Sequence, residues 1–99
     1  MSERVTVFAS FHPTESSRDD FLALMDMMVE NTRREPGNEV YDLYADAEGG
    51  YHLFEIYADQ DALQAHRYAD YYKQYRASVV DMLEGGIGVL VLSAVDAVS

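Results

Sequence analysis

The 99-residue chain contains no cysteine. That excludes disulfides, thiolate zinc sites and cysteine nucleophiles, and it implies a reducing, cytoplasmic setting. Positive charge is scarce. Seven Lys and Arg face eighteen Asp and Glu, for a net charge of −11. A surface that negative repels phosphate backbones and anionic lipids, so neither nucleic acid nor a membrane is an expected partner. The acidic residues are spread along the chain, as a solvated surface rather than an acidic tail. No apolar run approaches the roughly 20 residues of a membrane span. The charged start "MSERVTVFAS" does not read as a signal peptide. A phosphate-cradling loop is missing, because "EGG" and "EGGIG" read as turns. No nucleophile elbow surrounds a serine. His12, His52 and His66 lack ligand spacing and fall on three different elements, so no metal site is expected.

What is present suffices for one domain, residues 1–99, with 48% of positions hydrophobic. "RVTVFASFH" (Arg4–His12) has β-branched and aromatic strand character and is stopped by Pro13. Ser16 and Ser17 stand three residues before Asp19 and Asp20, which predicts an approximate capping box. Phe21, Leu24, Met25, Met28, Val29 and Thr32 then recur at helical spacing, and Glu35-Pro36-Gly37 stops the helix. "NEVYDLYAD" (Asn38–Asp46) and "YHLFEIYA" (Tyr51–Ala58) alternate as strands around the turn "AEGG", which predicts a hairpin. Asp59 is a suitable N-cap for a short helix. A second helical stretch follows from about Asp70 to Glu84, ended by Gly85 and Gly86. Across the two helical stretches, Tyr68, Tyr72, Tyr75, Val79 and Met82 form a predicted core stripe, and Tyr71 lies off it. "IGVLVLSAV" (Ile87–Val95) is nearly continuous in apolar residues, the pattern of a strand buried on both faces.

The predicted order is β-α-β-β-α-β, an α+β ferredoxin-like unit with a four-stranded antiparallel sheet. Its helices cover one sheet face only, yet the first and last strands are apolar on both. A second copy of the chain is the expected cover, giving a homodimer with sheets packed face to face, a dimeric α+β barrel.

The ordered set in "FLALMDMMVENTRREPGNEVYDLY" and "LFEIYADQDALQAHRYADYY" resembles the antibiotic biosynthesis monooxygenase (ABM) domain family. The shared features are the Glu-Pro-Gly helix end, Tyr41, Glu55 with Tyr57, Asp59, Ala62-Leu63, His66 and Tyr72. The resemblance covers almost the whole chain. It implies a dimer with a pocket between helices and sheet in each subunit. Some members oxidise phenols or quinols with molecular oxygen and no metal or flavin; others degrade haem or isomerise small metabolites. Leu53 and Leu63 stand where the polyketide-oxidising members place Asn and Tyr. Arg76 stands about where the haem-degrading members place an iron-binding His, and the tryptophan expected near His66 is missing. No cofactor is therefore expected.

Two residues are candidate catalytic groups. His66 shares a helix face with Leu63 and titrates near neutral pH, which suits a general base or a structural histidine. Glu55 lies mid-strand between Leu53 and Tyr57, where a carboxylate must be paired or have a raised pKa. Tyr57, Tyr72, Leu53 and Leu63 are the expected substrate-binding residues. The implied function is a cofactor-independent monooxygenase acting on an aromatic, phenolic or quinol-like small molecule with oxygen. The alternatives are an isomerase or lyase using the same base, or a non-catalytic binding dimer. Oxygen consumption separates the first from the second, and a closed core around His66 would favour the third.

Overall fold

The computed structural model describes residues 3–97. Its elements run β1 (Val5–Phe11), α1 (Arg18–Thr32), β2 (Asn38–Ala45), β3 (Tyr51–Tyr57), α2 (Gln60–Tyr68), α3 (Asp70–Val79) and β4 (Gly88–Leu92). The four strands form one antiparallel sheet in the order β2-β3-β1-β4. This is the ferredoxin-like arrangement expected from the sequence, with the second helical region split in two.

Strand alternation assigns the two faces of the sheet. Val7, Ala9 and Phe11 of β1 and Leu53, Glu55 and Tyr57 of β3 are buried beneath the helices. Phe21, Met25, Met28 and Thr32 of α1 present the predicted stripe to them and are fully buried. Burial of such side chains stabilises by about 1.5–3 kcal/mol each before entropy is counted. The β2–β3 hairpin is set by Asp46, whose carboxylate accepts from the backbone N–H groups of Glu48 and Gly50 at 2.8 and 2.9 Å. Gly49 supplies the positive φ of 86° that the turn requires. Asp59 caps α2 through the N–H of Ala62 at 2.8 Å, as expected.

Four local expectations fail for identifiable reasons. The capping box does not form: Glu15–Ser17 make a single 3-10 turn, and neither flanking residue caps with its side chain. The helix predicted to reach Glu84 ends at Val79, followed by a 3-10 turn, Val80–Met82. Leu83 then bridges to Pro13, and Glu84 N–H donates to the carbonyl of His12 at 2.7 Å. These sheet-side bonds replace another helical turn. Tyr68 is 70% exposed, not part of the core stripe, because Ala69 adopts an extended ψ of 142° and ends α2. Helical spacing does not carry across that break, and the half-buried Tyr71 is turned inward instead.

The fourth concerns β4. It is shorter than predicted and exposed throughout, not buried on both faces. It is an edge strand paired only with β1, and the helices cover little of it. Leu90 and Leu92 are 58% and 43% exposed on the face opposite the helices, beside the partly buried Phe8 and Phe54 of β1 and β3. Its apolar composition thus remains unmatched within one chain.

Candidate active site

The Glu35-Pro36-Gly37 turn brings the end of α1 against α2. A Cβ at Gly37 would collide with the Cβ of Ala62, so only glycine permits this approach. The contact sets Glu35 beside His66, thirty-one residues on. Glu35 Oε2 lies 2.9 Å from His66 Nδ1. Tyr71, from the start of α3, donates its hydroxyl to the same carboxylate oxygen. His66 itself is 2% exposed. Its other nitrogen, Nε2, has no hydrogen-bond partner among the described residues.

Aromatic rings enclose the imidazole. The ring centroids of Tyr72, Tyr57, Tyr41 and Tyr71 lie 4.9, 5.2, 5.8 and 6.4 Å from it. Glu55 is 5% exposed and accepts a 2.6 Å hydrogen bond from the Tyr57 hydroxyl. That short bond and the nearby Arg67 make a buried carboxylate tolerable here.

A small cavity joins these groups. It encloses about 20 Å³, room for roughly one water. His66, Glu55, Leu63, Tyr41 and Tyr72 line it, with Arg67 and Arg76 at the helix side. Two of the predicted substrate-binding residues do not line this small cavity: Tyr57 is fully buried, with its ring against His66 and its hydroxyl on Glu55, and Leu53 packs into the main core beneath α1. The sequence reading overlooked Glu35 and Tyr71. Glu35 was visible as the first residue of Glu-Pro-Gly, where it reads as part of a helix stop, and nothing local marks its carboxylate as a partner for α2.

Burial shifts the acid–base chemistry of the cluster. Desolvation, with the Glu55 charge added, raises Glu35 to about 7. Desolvation also raises Glu55 to about 7, against the opposing pull of the Tyr57 hydrogen bond and Arg67. His66 is lowered to about 4 by burial, with a smaller contribution from Arg67. Burial pushes the Tyr41, Tyr57 and Tyr75 hydroxyls well above their ordinary range, so they stay neutral donors. At neutral pH the imidazole is therefore uncharged. When Glu35 is ionised, Nδ1 carries the ring proton and donates it to the carboxylate, leaving Nε2 as a free acceptor. No group of three or more His, Cys, Asp or Glu among the described residues is arranged to hold a metal ion.

Comparison with known proteins agrees with this architecture. "Putative monooxygenase Rv0793" of Mycobacterium tuberculosis is 41% identical over 100 residues, covering 100% of this chain and 99% of that protein. The solved structure of Rv0793 superposes with a TM-score of 0.93 at 40% identity, over 97% of this chain and 99% of the other. A "putative antibiotic biosynthesis monooxygenase" from Caulobacter crescentus gives a TM-score of 0.86 at 28% identity, over 96% and 92% of the two chains. The antibiotic biosynthesis monooxygenase family profile matches residues 4–78, and with that extent of agreement the chain belongs to this family.

Proposed function

We propose that the protein is a cofactor-independent monooxygenase that oxidises a phenolic or quinol-like small molecule with molecular oxygen. One observation carries this reading: a neutral, buried histidine has one nitrogen tied to a carboxylate and the other unpartnered, at an aromatic-walled cavity. Nε2 of His66 takes the substrate's hydroxyl proton while Nδ1 passes its own to Glu35. The pair then behaves as one base titrating near 7, better matched to a phenol than an isolated imidazole lowered to about 4. The resulting phenolate gives one electron to oxygen. Recombination of the radical pair forms a C–O bond and, on protonation, a hydroperoxide. Loss of the proton on that carbon, for which Glu55 is the acceptor, breaks the O–O bond and releases water. The balance is phenol plus oxygen giving quinone plus water, so the substrate supplies every electron.

The tyrosine walls exclude water from the anion and offer neutral rings to stack on. The enclosed volume is far below the roughly 300 Å³ of a small-molecule pocket. Tyr72 and Arg76, joined by a 3.0 Å hydrogen bond, must therefore move outward to admit a ring. The test is a screen of phenols and hydroquinones with an oxygen electrode, with metal chelators present. Uptake that tracks enzyme concentration, with quinone formed one to one, is the expected result. Enzyme-dependent isomerisation or cleavage without oxygen uptake would move the assignment to an isomerase or lyase.

The same reading includes a homodimer formed through the sheet face that the helices leave open. The exposed Leu90 and Leu92 favour it, since apolar side chains in a row on an edge strand invite cover. Light scattering on the eluting protein is expected to give twice the chain mass, and Leu90→Glu with Leu92→Glu to give one chain mass with an unchanged helical CD spectrum. A wild-type monomer at micromolar concentration would end the dimer proposal.

A further inference from the structure

Positive charge is scarce in this chain, and where it goes is informative. The seven basic residues are Arg4, Arg18, Arg33, Arg34, Arg67, Lys73 and Arg76. Arg4, Arg33 and Arg34 are ion-paired with Glu39, Asp42 and Glu30 on the surface. Arg18 and Lys73 are in no ion pair among the described residues, and neither are Arg67 and Arg76. Arg67 and Arg76 line the one cavity that holds His66 and Glu55. They come from different helices, Arg67 from the last turn of α2 and Arg76 from the last turn of α3. Arg76 donates to the Tyr72 hydroxyl at 3.0 Å, and its guanidinium lies 6.0 Å from that ring's centroid. Two arginines and one buried carboxylate, Glu55, line this cavity, so in a chain of net charge −11 its lining carries an excess of positive charge. That excess favours the approach of an anion to this cavity.

We infer that the substrate is an anionic aromatic, carrying a carboxylate or comparably acidic oxygen beside its oxidisable hydroxyl, and that Arg67 and Arg76 bind that group. This deepens the monooxygenase reading and rests on it for the oxidation step alone. The planar guanidinium fork matches a carboxylate in two parallel hydrogen bonds, which a lysine would not. Arg76 exchanges its Tyr72 partner for the carboxylate as the ring enters, so the anion itself opens the cover.

The test uses 1-hydroxy-2-naphthoate and its methyl ester, two ligands of one shape and different charge. Titration calorimetry is expected to show the acid binding about tenfold more tightly than the ester, with the gap narrowing in high salt. Arg76→Met, at an exposed helix position, is expected to remove most of the preference, and Arg67→Met with Arg76→Met all of it. Arg18→Met, remote from the cavity, is expected to keep it. Equal affinities in the wild type, no binding of the acid, or a preference that survives in the double variant would overturn the inference. The oxygen electrode separates the two readings. Preferential binding of the acid without oxygen uptake leaves the anion site standing and counts against the oxygenase. Uptake with neutral phenols as fast as with their carboxylated analogues, unchanged by Arg76→Met, does the reverse.

Discussion

His66→Gln is expected to lose about a hundred- to ten-thousand-fold in kcat for oxygen uptake with any phenol that the wild type turns over. Glutamine keeps a donor for Glu35 and nearly fills the imidazole volume, but it cannot accept a proton. Loss of turnover with a near-native melting temperature would assign the effect to chemistry and not to folding. Glu35→Gln gives the complementary result. It keeps the size of the side chain and removes the second station for the proton, so His66 would act alone with its lowered pKa of about 4. The expected outcome is an intermediate loss of kcat and the disappearance of the acidic limb near pH 7 that Glu35 contributes. Full activity in His66→Gln would leave the histidine a structural residue and remove the basis of the proposed reaction.

Thermal stability is expected to be higher at pH 5 than at pH 8. Glu55 provides the reason. Its folded pKa of about 7 lies above the value of 4.5 for a free side chain. A carboxyl group raised on folding binds its proton more tightly in the native state. Its contribution is complete below pH 4.5 and disappears as pH rises through 7. For a side chain that is 5% exposed, a shift of this size corresponds to up to about 3 kcal/mol. Glu35 acts in the same window and the same sense. His66 opposes them. Its folded pKa is depressed to about 4, so it favours the native state above 6.5 and loses that contribution as pH falls towards 4. Two groups outweigh one between these limits, and above pH 6.5 only the carboxylates still titrate. Glu55→Gln retains a partner for the Tyr57 hydroxyl and removes the charge. Its melting temperature is expected to vary less between pH 5 and 8 than that of the wild type. A wild-type protein more stable at pH 8 would show that Glu55 is ionised at little cost in the native state.

The site draws on groups that the chain holds far apart. His66 was legible in the sequence because it follows Leu63 by three residues and so faces the sheet. Glu55 was legible because it interrupts an apolar face of β3. Their partners were not legible. Glu35 sits in a turn and reaches His66 only because Gly37 lets α2 approach, a contact across thirty-one residues. Tyr71 and Tyr68 exchanged roles, because one extended residue, Ala69, resets the helical phase between them. Periodicity assumes an unbroken helix, and no proline or glycine marks this break in the sequence.

The sequence by itself determined the order of elements, the buried face of α1, the β2–β3 hairpin and the absence of thiol chemistry. Each follows from local causes: side-chain periodicity, turn residues with fixed backbone preferences, and composition. It also implied that β4 is too apolar for a single layer of helices to satisfy. Only the tertiary structure decided which ionisable groups share a cavity and how far burial moves their pKa values. It also decided that Tyr57 bonds Glu55 and packs on His66, while Leu53 joins the main core. Those outcomes depend on distances between remote segments and on how much water each group loses. Neither quantity is carried by any short stretch of chain.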